Sequence, residues 1–248
     1  MLFKNNVQKT NPLIAHFNGN QQKILTDDFV NSIIESNKIT IPKDLTIVTF
    51  ATKDIINECT LIKQLKRYNI EFYNLCELYD TPKKWKNLYK IKLINKFISN
   101  VNTKYIMVLD ALDILLSEDI YKIIDIFNEM EYKIYYGSTI NRYPKNELEP
   151  KNLINDKGDF KYLNSGTVIA ETKYYKEFIK QCDENTDENI NRHSDQFEIR
   201  KNYVLYDKDI ISYDYKCELF QTVGGSNYFN LNIIGNCLEY NQKTKRED

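Results

Sequence analysis

Two carboxylates three residues apart, Asp110 and Asp113, follow directly on the apolar run Tyr105-Ile106-Met107-Val108-Leu109. That run has the length of a strand buried on both faces of a parallel sheet. In open α/β sheets, ligands gather just beyond the carboxyl ends of such strands. Acidic side chains placed there suit a hard divalent cation, Mg²⁺ or Mn²⁺, which prefers oxygen donors. The plainer alternative is that Asp110 only ends the strand and Asp113 only starts a turn; D-x-x-D alone does not choose. Four other places carry residues that can do chemistry. His16-Phe17-Asn18-Gly19 follows the apolar Leu13-Ile14-Ala15. A lone histidine is commonly a hydrogen-bonded surface or core residue, but Asn18-Gly19 makes a tight turn whose N–H groups suit a phosphate. Lys90 is either a solvated helix lysine or a charge for a diphosphate, and spacing does not separate the two. Leu163-Asn164-Ser165-Gly166 reads equally as a simple turn or as a sugar-binding loop. In His193-Ser194-Asp195-Gln196, Ser194 or Asp195 caps a helix, or Asp195 is a carboxylate poised as a base or hydroxyl anchor. There is no Walker A loop, no G-x-G-x-x-G and no nucleophile elbow.

The elements that must position these residues are legible in outline. Leu45–Phe50 is a strand entered through Pro42, and Lys53 to Tyr68 has helical spacing at Ile55, Cys59, Ile62 and Leu65. Ile70 to Leu75 is a short strand. A helix after Pro82 aligns Trp85, Leu88, Ile91, Ile94 and Ile98 on one apolar face, with Lys90 turned away from it. The Tyr105 strand follows, and this alternation is the signature of a parallel sheet with right-handed crossovers. Ser117 caps a further helix with Ile120, Ile123, Ile124 and Phe127 as its stripe. Ile134–Tyr136 is a strand ending at Gly137, and 141–159 is a loop. Thr167–Ala170 is a strand, Lys173–Cys182 a helix, and an acidic loop through Asp183, Glu184, Asp187 and Glu188 precedes a helix near Ser194. Strands at 203–206 and 217–221 close the chain.

The 248 residues allow one large α/β domain, and no repeat, linker or composition break divides them. With a net charge of −1 and no dense basic block, a nucleic-acid partner is not indicated. The Met1 end lacks the apolar region of a signal peptide, and no run approaches the roughly 18 residues of a membrane span. Cys59, Cys76, Cys182, Cys217 and Cys237 are irregularly spaced, which fits buried reduced thiols in the cytoplasm, or a host cytoplasm if the source is viral.

In this order the pieces resemble the glycosyltransferase domain of the procollagen lysyl hydroxylase (PLOD-like) family, from Leu45 to about Phe220. Val48-Thr49-Phe50-Ala51-Thr52 resembles its nucleotide-binding first strand and Leu88-Tyr89-Lys90 its lysine-bearing helix start. Val108 to Asp113 resembles its D-x-x-D metal motif and Phe160 to Gly166 its F-L-N-S-G. Asp195-Gln196 resembles its D-Q, and Leu219-Phe220-Gln221 its I-F-Q, followed here by Gly224-Gly225. In that family the H-x-N-G element follows the last strand; here it precedes the first. Domain termini often lie close together, so a circular shift would leave the site intact. The family's uracil-stacking aromatic is replaced by Leu112, its Trp-Pro by Tyr143-Pro144, and its acidic run by one Asp. No iron-binding hydroxylase portion is discernible.

The resemblance implies a GT-A-type, Rossmann-like, mostly parallel sheet flanked by helices in a single domain, 1–242. The segment 1–44 carries the H-x-N-G element and 243–248 is a charged tail. It implies a metal-dependent transferase moving glucose or galactose from a UDP-sugar to a protein or glycan hydroxyl, with collagen-like hydroxylysine as one such acceptor. Asp110, Asp113 and His16 would hold Mn²⁺ or Mg²⁺. Lys90, Asn18 and Gly19 would meet the diphosphate, and Thr49, Ala51, Thr52 and Leu112 the nucleoside. Asn164, Ser165, Gly166 and Gln196 would orient the sugar, with Asp195 as base if the transfer inverts. Two alternatives stay open. A sugar-nucleotide nucleotidyltransferase would normally need a glycine-rich loop after the first strand, which Thr49 to Asp54 lacks, and a degenerate fold would only bind glycans or partners.

Overall fold

The computed structural model describes residues 2–36, 38–81, 84–143, 159–186, 194–206, 209–223, 229–234 and 237–242. Pro82, Pro144, Asp187, Glu188, His193, Gly224-Gly225 and the tail from Lys243 lie outside them, as does most of the loop expected over 141–159. The chain opens with β1 (Leu2–Asn5), β2 (Ile14–His16), a 3₁₀ turn (Gly19–Ile24) and α1 (Asp27–Ser36). Then come β3 (Leu45–Phe50), α2 (Thr60–Arg67), β4 (Tyr73–Asn74), α3 (Leu75–Leu78), α4 (Tyr89–Ile98) and β5 (Tyr105–Asp110). β6 (Ile114–Leu116), a second 3₁₀ turn (Ile120–Lys122), α5 (Ile123–Glu129), β7 (Ile134–Thr139) and β8 (Tyr162–Glu171) follow. The chain ends with α6 (Thr172–Glu184), α7 (Asp195–Leu205), β9 (Ile211–Tyr213), β10 (Phe220–Thr222), β11 (Phe229–Ile234) and β12 (Cys237–Gln242).

The central sheet has the order β4-β3-β5-β8-β7-β9. Only β8 runs against its neighbours, so the sheet is mostly parallel, as expected. Side chains alternate across it with the period of a strand. Val48, Ile106 and Val108 face α4, α6 and α7 through Ile94, Phe178 and Ile199. Ile47, Met107 and Leu109 face α2 and α5 through Leu61, Leu65 and Phe127. The apolar run before Asp110 is therefore buried on both sides. Two smaller sheets, β10-β2-β6 and β1-β12-β11, complete the fold. No helix among the described residues is long and apolar enough to cross a membrane. All five cysteines are free, and four of them are buried.

Several elements depart from their sequence pattern. The helix expected from Lys53 starts only at Thr60, because the N–H groups of Thr60 and Leu61 donate to the carbonyls of Leu112 and Ala111 at 3.3 and 3.1 Å. Trp85 and Leu88 precede α4 rather than lining it. Ser117 does not cap through its hydroxyl, which is buried without a partner. β7 continues past Gly137, and β8 takes in the whole stretch Leu163–Gly166, which reads equally as a turn or as a sugar-binding loop. Tyr203–Leu205 belongs to α7, and the strand lies later, at β9.

Candidate active site

The D-x-x-D loop is fixed from below and from behind. Below it, the first amides of α2, which have no partner inside their own helix, take the Ala111 and Leu112 carbonyls. Behind it, β6 pairs antiparallel with β2, setting Ile114 opposite His16. The Phe17 N–H donates to the Asp113 carbonyl at 2.8 Å, and the Val223 N–H donates to the His16 carbonyl at 2.7 Å. β2 is thus the middle strand between β6 and β10, and it carries an N-terminal histidine to the aspartates. His16 Nε2 lies 3.4 Å from Asp113 Oδ1 and 4.0 Å from Asp110 Oδ2. The three residues offer one nitrogen and two carboxylate oxygens, all within 4.8 Å of one another.

The front of this cluster is a bulge in β8. Tyr136 pairs with Val168, but the next pair is Gly137 with Asn164, so Ser165, Gly166 and Thr167 are left over. Bulges re-aim side chains beside active sites. The Gly166 N–H donates to Asn164 Oδ1 at 2.9 Å, closing the bulge locally. Any Cβ on Gly166 would strike the His16 ring and crowd Asp110, so this close approach requires glycine.

The N-terminus of α7 grips the bulge from the other side. Ser194 caps the helix by accepting from the Phe197 N–H at 3.3 Å. The Ser165 hydroxyl donates to Asp195 Oδ2 at 3.1 Å, and the Ser165 N–H donates to Gln196 Oε1 at 3.1 Å. The Gln196 amide and Arg200 both donate to the Tyr143 carbonyl. Lys90, second residue of α4, is buried rather than solvated. Its ammonium donates to Asp110 Oδ1 and stands 3.5 Å from Asp195 Oδ2.

Burial pulls the Lys90 ammonium towards deprotonation, but Asp110 and Asp195 outweigh it and hold it more basic than usual. Burial likewise pulls His16 down, while Asp113 and then Asp110 push it up, with a net upward shift. Burial raises the Asp110 carboxyl against the counter-pull of Lys90 and His16. The Asp110 side chain keeps 28% of its surface open, against 7% for Asp113, so a ligand reaches the cluster on the Asp110 side.

The nucleoside candidates divide. Thr49 is fully buried, its hydroxyl donating to the Leu109 carbonyl, and Ala51 exchanges hydrogen bonds with the Asn74 amide; both are floor. Thr52 borders an adjoining cavity of about 360 Å³ together with Cys76, Tyr79 and Trp85. Leu112 is half-buried against Ala51 and Ile62. Asn18 and Gly19 follow directly on β2 and His16, Asn18 half-buried and Gly19 exposed with φ of 64°. Periodicity places Trp85 on the apolar face of a helix and gives it no part in the site. It lies over Phe50 at 6.3 Å and edge-on to Tyr89, presenting an aromatic surface beside Thr52. A tryptophan flanked by Lys84 and Lys86 is a poor fit to a buried helix face, and that composition was the available signal. Burial pushes the Cys59 and Cys76 thiols up to about 11, which leaves them poor nucleophiles.

A family model for the PLOD GT domain matches residues 42–244. The chain belongs to this glycosyltransferase-domain family. The PLOD GT match contains Lys90, both aspartates, the β8 bulge and the start of α7, and it leaves out residues 1–41, which carry His16. No curated protein matches the chain. Among solved structures, an active-site glutamine-to-glutamate mutant of LgtC is 13% identical, with 68% of this chain and 72% of that one covered at a TM-score of 0.38. A Bacillus anthracis protein assigned as a glucose-1-phosphate thymidylyltransferase, solved with sucrose, is 12% identical, with 72% and 68% covered at 0.38. The 4-diphosphocytidyl-2C-methyl-D-erythritol synthase of Anaerococcus prevotii is 11% identical, with 75% and 91% covered at 0.35.

Proposed function

We propose that this protein moves a hexose, glucose or galactose, from a UDP-sugar to a hydroxyl of a protein or glycan, with Mn²⁺ or Mg²⁺ as cofactor and residues 1–242 as one catalytic unit. The observation that carries the reading is the convergence of His16, Asp110 and Asp113 from separate parts of the chain. One imidazole nitrogen and two carboxylate oxygens suit such a cation, and His16 Nδ1 is buried without a hydrogen-bond partner, so the residues fit. When bound, the cation supplies positive charge for the departing diphosphate.

The chain's own groups do the rest. Lys90, already beside Asp110, meets phosphate oxygens, with the Asn18-Gly19 backbone as a second source of donors. Trp85, Leu112 and Thr52 hold the base over the floor made by Thr49 and Ala51. Asn164, Ser165, Gly166 and Gln196 orient the sugar across the bulge. The acceptor oxygen bonds to the sugar's anomeric carbon as the carbon–phosphate-oxygen bond breaks, its electron pair leaving with UDP. In an inverting transfer the hydroxyl proton passes to Asp195. Collagen-like hydroxylysine, or the glycan on it, is an acceptor of the required chemistry.

Calorimetry of UDP with and without Mn²⁺ tests the site. Wild-type protein is expected to bind UDP in a metal-dependent way, and His16→Ala, which removes a direct ligand, to weaken that binding by at least the roughly tenfold that loss of an outer-shell partner costs. An Asp110→Ala protein that still hydrolyses UDP-sugar with Mn²⁺ at the full rate would falsify the proposal. Release of pyrophosphate instead of UDP would mark a nucleotidyltransferase.

A further inference from the structure

A second concavity, of about 980 Å³, lies away from the His16 cluster and around β9. β9 is the last strand of the central sheet, so its outer edge pairs with no strand among the described residues. The concavity wraps that edge. Tyr132 and Tyr135 border it from the core face packed by α5, and Tyr203 of α7 borders it from the opposite face. Tyr213 and Tyr215 complete an aromatic lining.

The rim is acidic. Glu129, Glu131 and Glu218 border the groove, and none makes an ion pair among the described residues. Its two lysines are already engaged: Lys122 lies 2.8 Å from Asp119, and Lys216 lies over the Tyr215 ring at 5.9 Å. We propose that this groove docks an extended polypeptide segment bearing lysine or arginine. Cationic side chains would meet the three glutamates and the tyrosine faces, and the main chain would run along the open edge of β9. A single small cation would fill little of such a volume. An apolar segment would strip water from carboxylates and leave them unpaired, which is costly.

Thr10 and Leu13, which lead into β2 and His16, also border the groove. Its natural occupant is therefore a stretch of the acceptor polypeptide remote from the reacting hydroxyl. That identification rests on the transferase reading, whereas the docking itself does not.

Fluorescence polarisation with a labelled alternating lysine–glycine peptide, without Mn²⁺ or UDP, tests the docking alone. Wild-type protein is expected to bind saturably. Combined Glu129→Gln, Glu131→Gln and Glu218→Gln substitution, or acetylation of the peptide's lysines, is expected to weaken binding about tenfold or more. The substituted groups lie at the rim, so circular dichroism should be unchanged. Equal binding by the triple variant would overturn the assignment. Spermine displacing the peptide as well as unlabelled peptide does would overturn the choice of a polypeptide. Failure here would leave metal-dependent UDP binding intact, and loss of UDP binding would leave peptide docking intact.

Discussion

Gly166 and Lys90 show how little slack the site has at the scale of single residues. Lys90 shares one ammonium between Asp110 and Asp195 in a buried position, so both carboxylates are held at fixed places before any ligand arrives. Gly166 is the counterpart on the other side, a residue whose missing Cβ lets His16 and Asp110 come together. Gly166→Ala forces the histidine ring or the aspartate to move. Overpacking of this kind costs about 1–3 kcal/mol. The expected outcome is a folded protein with a lower urea midpoint and with Mn²⁺-dependent UDP binding weakened at least about tenfold, the penalty typical of disturbed metal surroundings. Wild-type UDP affinity in the alanine variant would show that the bulge does not shape the cluster of His16, Asp110 and Asp113.

Among elements, α2 and β6 decide where the D-x-x-D loop can sit, and neither was fully legible in the sequence. The helix was expected from Lys53, and β6 was not expected at all. Periodicity registers apolar spacing; it does not register that Thr60 and Leu61 bond to the loop carbonyls, or that the three-residue β6 is stabilised by pairing with β2, remote in sequence. The strand Leu45–Phe50, the Tyr105 run, the Ser194 cap and the helix after Ala170 were legible, because each signal is local. Proximity of His16 to the aspartates came from motif order, since no local signal reports that β2 lies between β6 and β10. Leu163–Gly166 reads equally as a turn or as a sugar-binding loop, and the bulge was not legible because a bulge and a turn draw on the same small polar residues. One long-range tie joins α2 to β6: the buried Gln64 amide donates to the Leu116 carbonyl, and its oxygen accepts from the Leu116 N–H, both at 2.9 Å. Gln64→Leu leaves both backbone groups of Leu116 buried without partners, at a cost of about 2–4 kcal/mol. Chemical denaturation measures this directly, and a change within about 0.5 kcal/mol would mean that water reaches the strand edge.

At the scale of the whole molecule, the turn from β9 to β10 is one of the links between the central sheet and the β10-β2-β6 sheet, and Asp214 organises that turn. Its carboxylate accepts from the Glu218, Leu219 and Phe220 N–H groups at 2.7 to 2.9 Å, and its carbonyl accepts from the Ser138 hydroxyl at 2.6 Å. Two opposed effects act on this carboxyl. Burial disfavours the charge, the three amides favour it, and burial wins, pushing the group up to about 6 from its usual 3.8. A carboxyl more basic in the folded than in the unfolded chain is a site where folding takes up a proton. Its contribution to stability is fully present below about 4 and is lost as pH rises through about 6. The lost amount is of order 1–3 kcal/mol. Asp214→Asn cannot titrate, and it sets a donor-only NH2 against an amide N–H where the hydroxyl oxygen of the protonated carboxyl can still accept, so it is less stable than wild type at pH 4. Raising the pH to 7 should narrow that gap by the same 1–3 kcal/mol, because only the wild type loses stability there. Paired denaturation curves at the two pH values decide the matter. A gap that widens towards pH 7 would mean that the amides outweigh burial and that Asp214 anchors the sheets as a permanent anion.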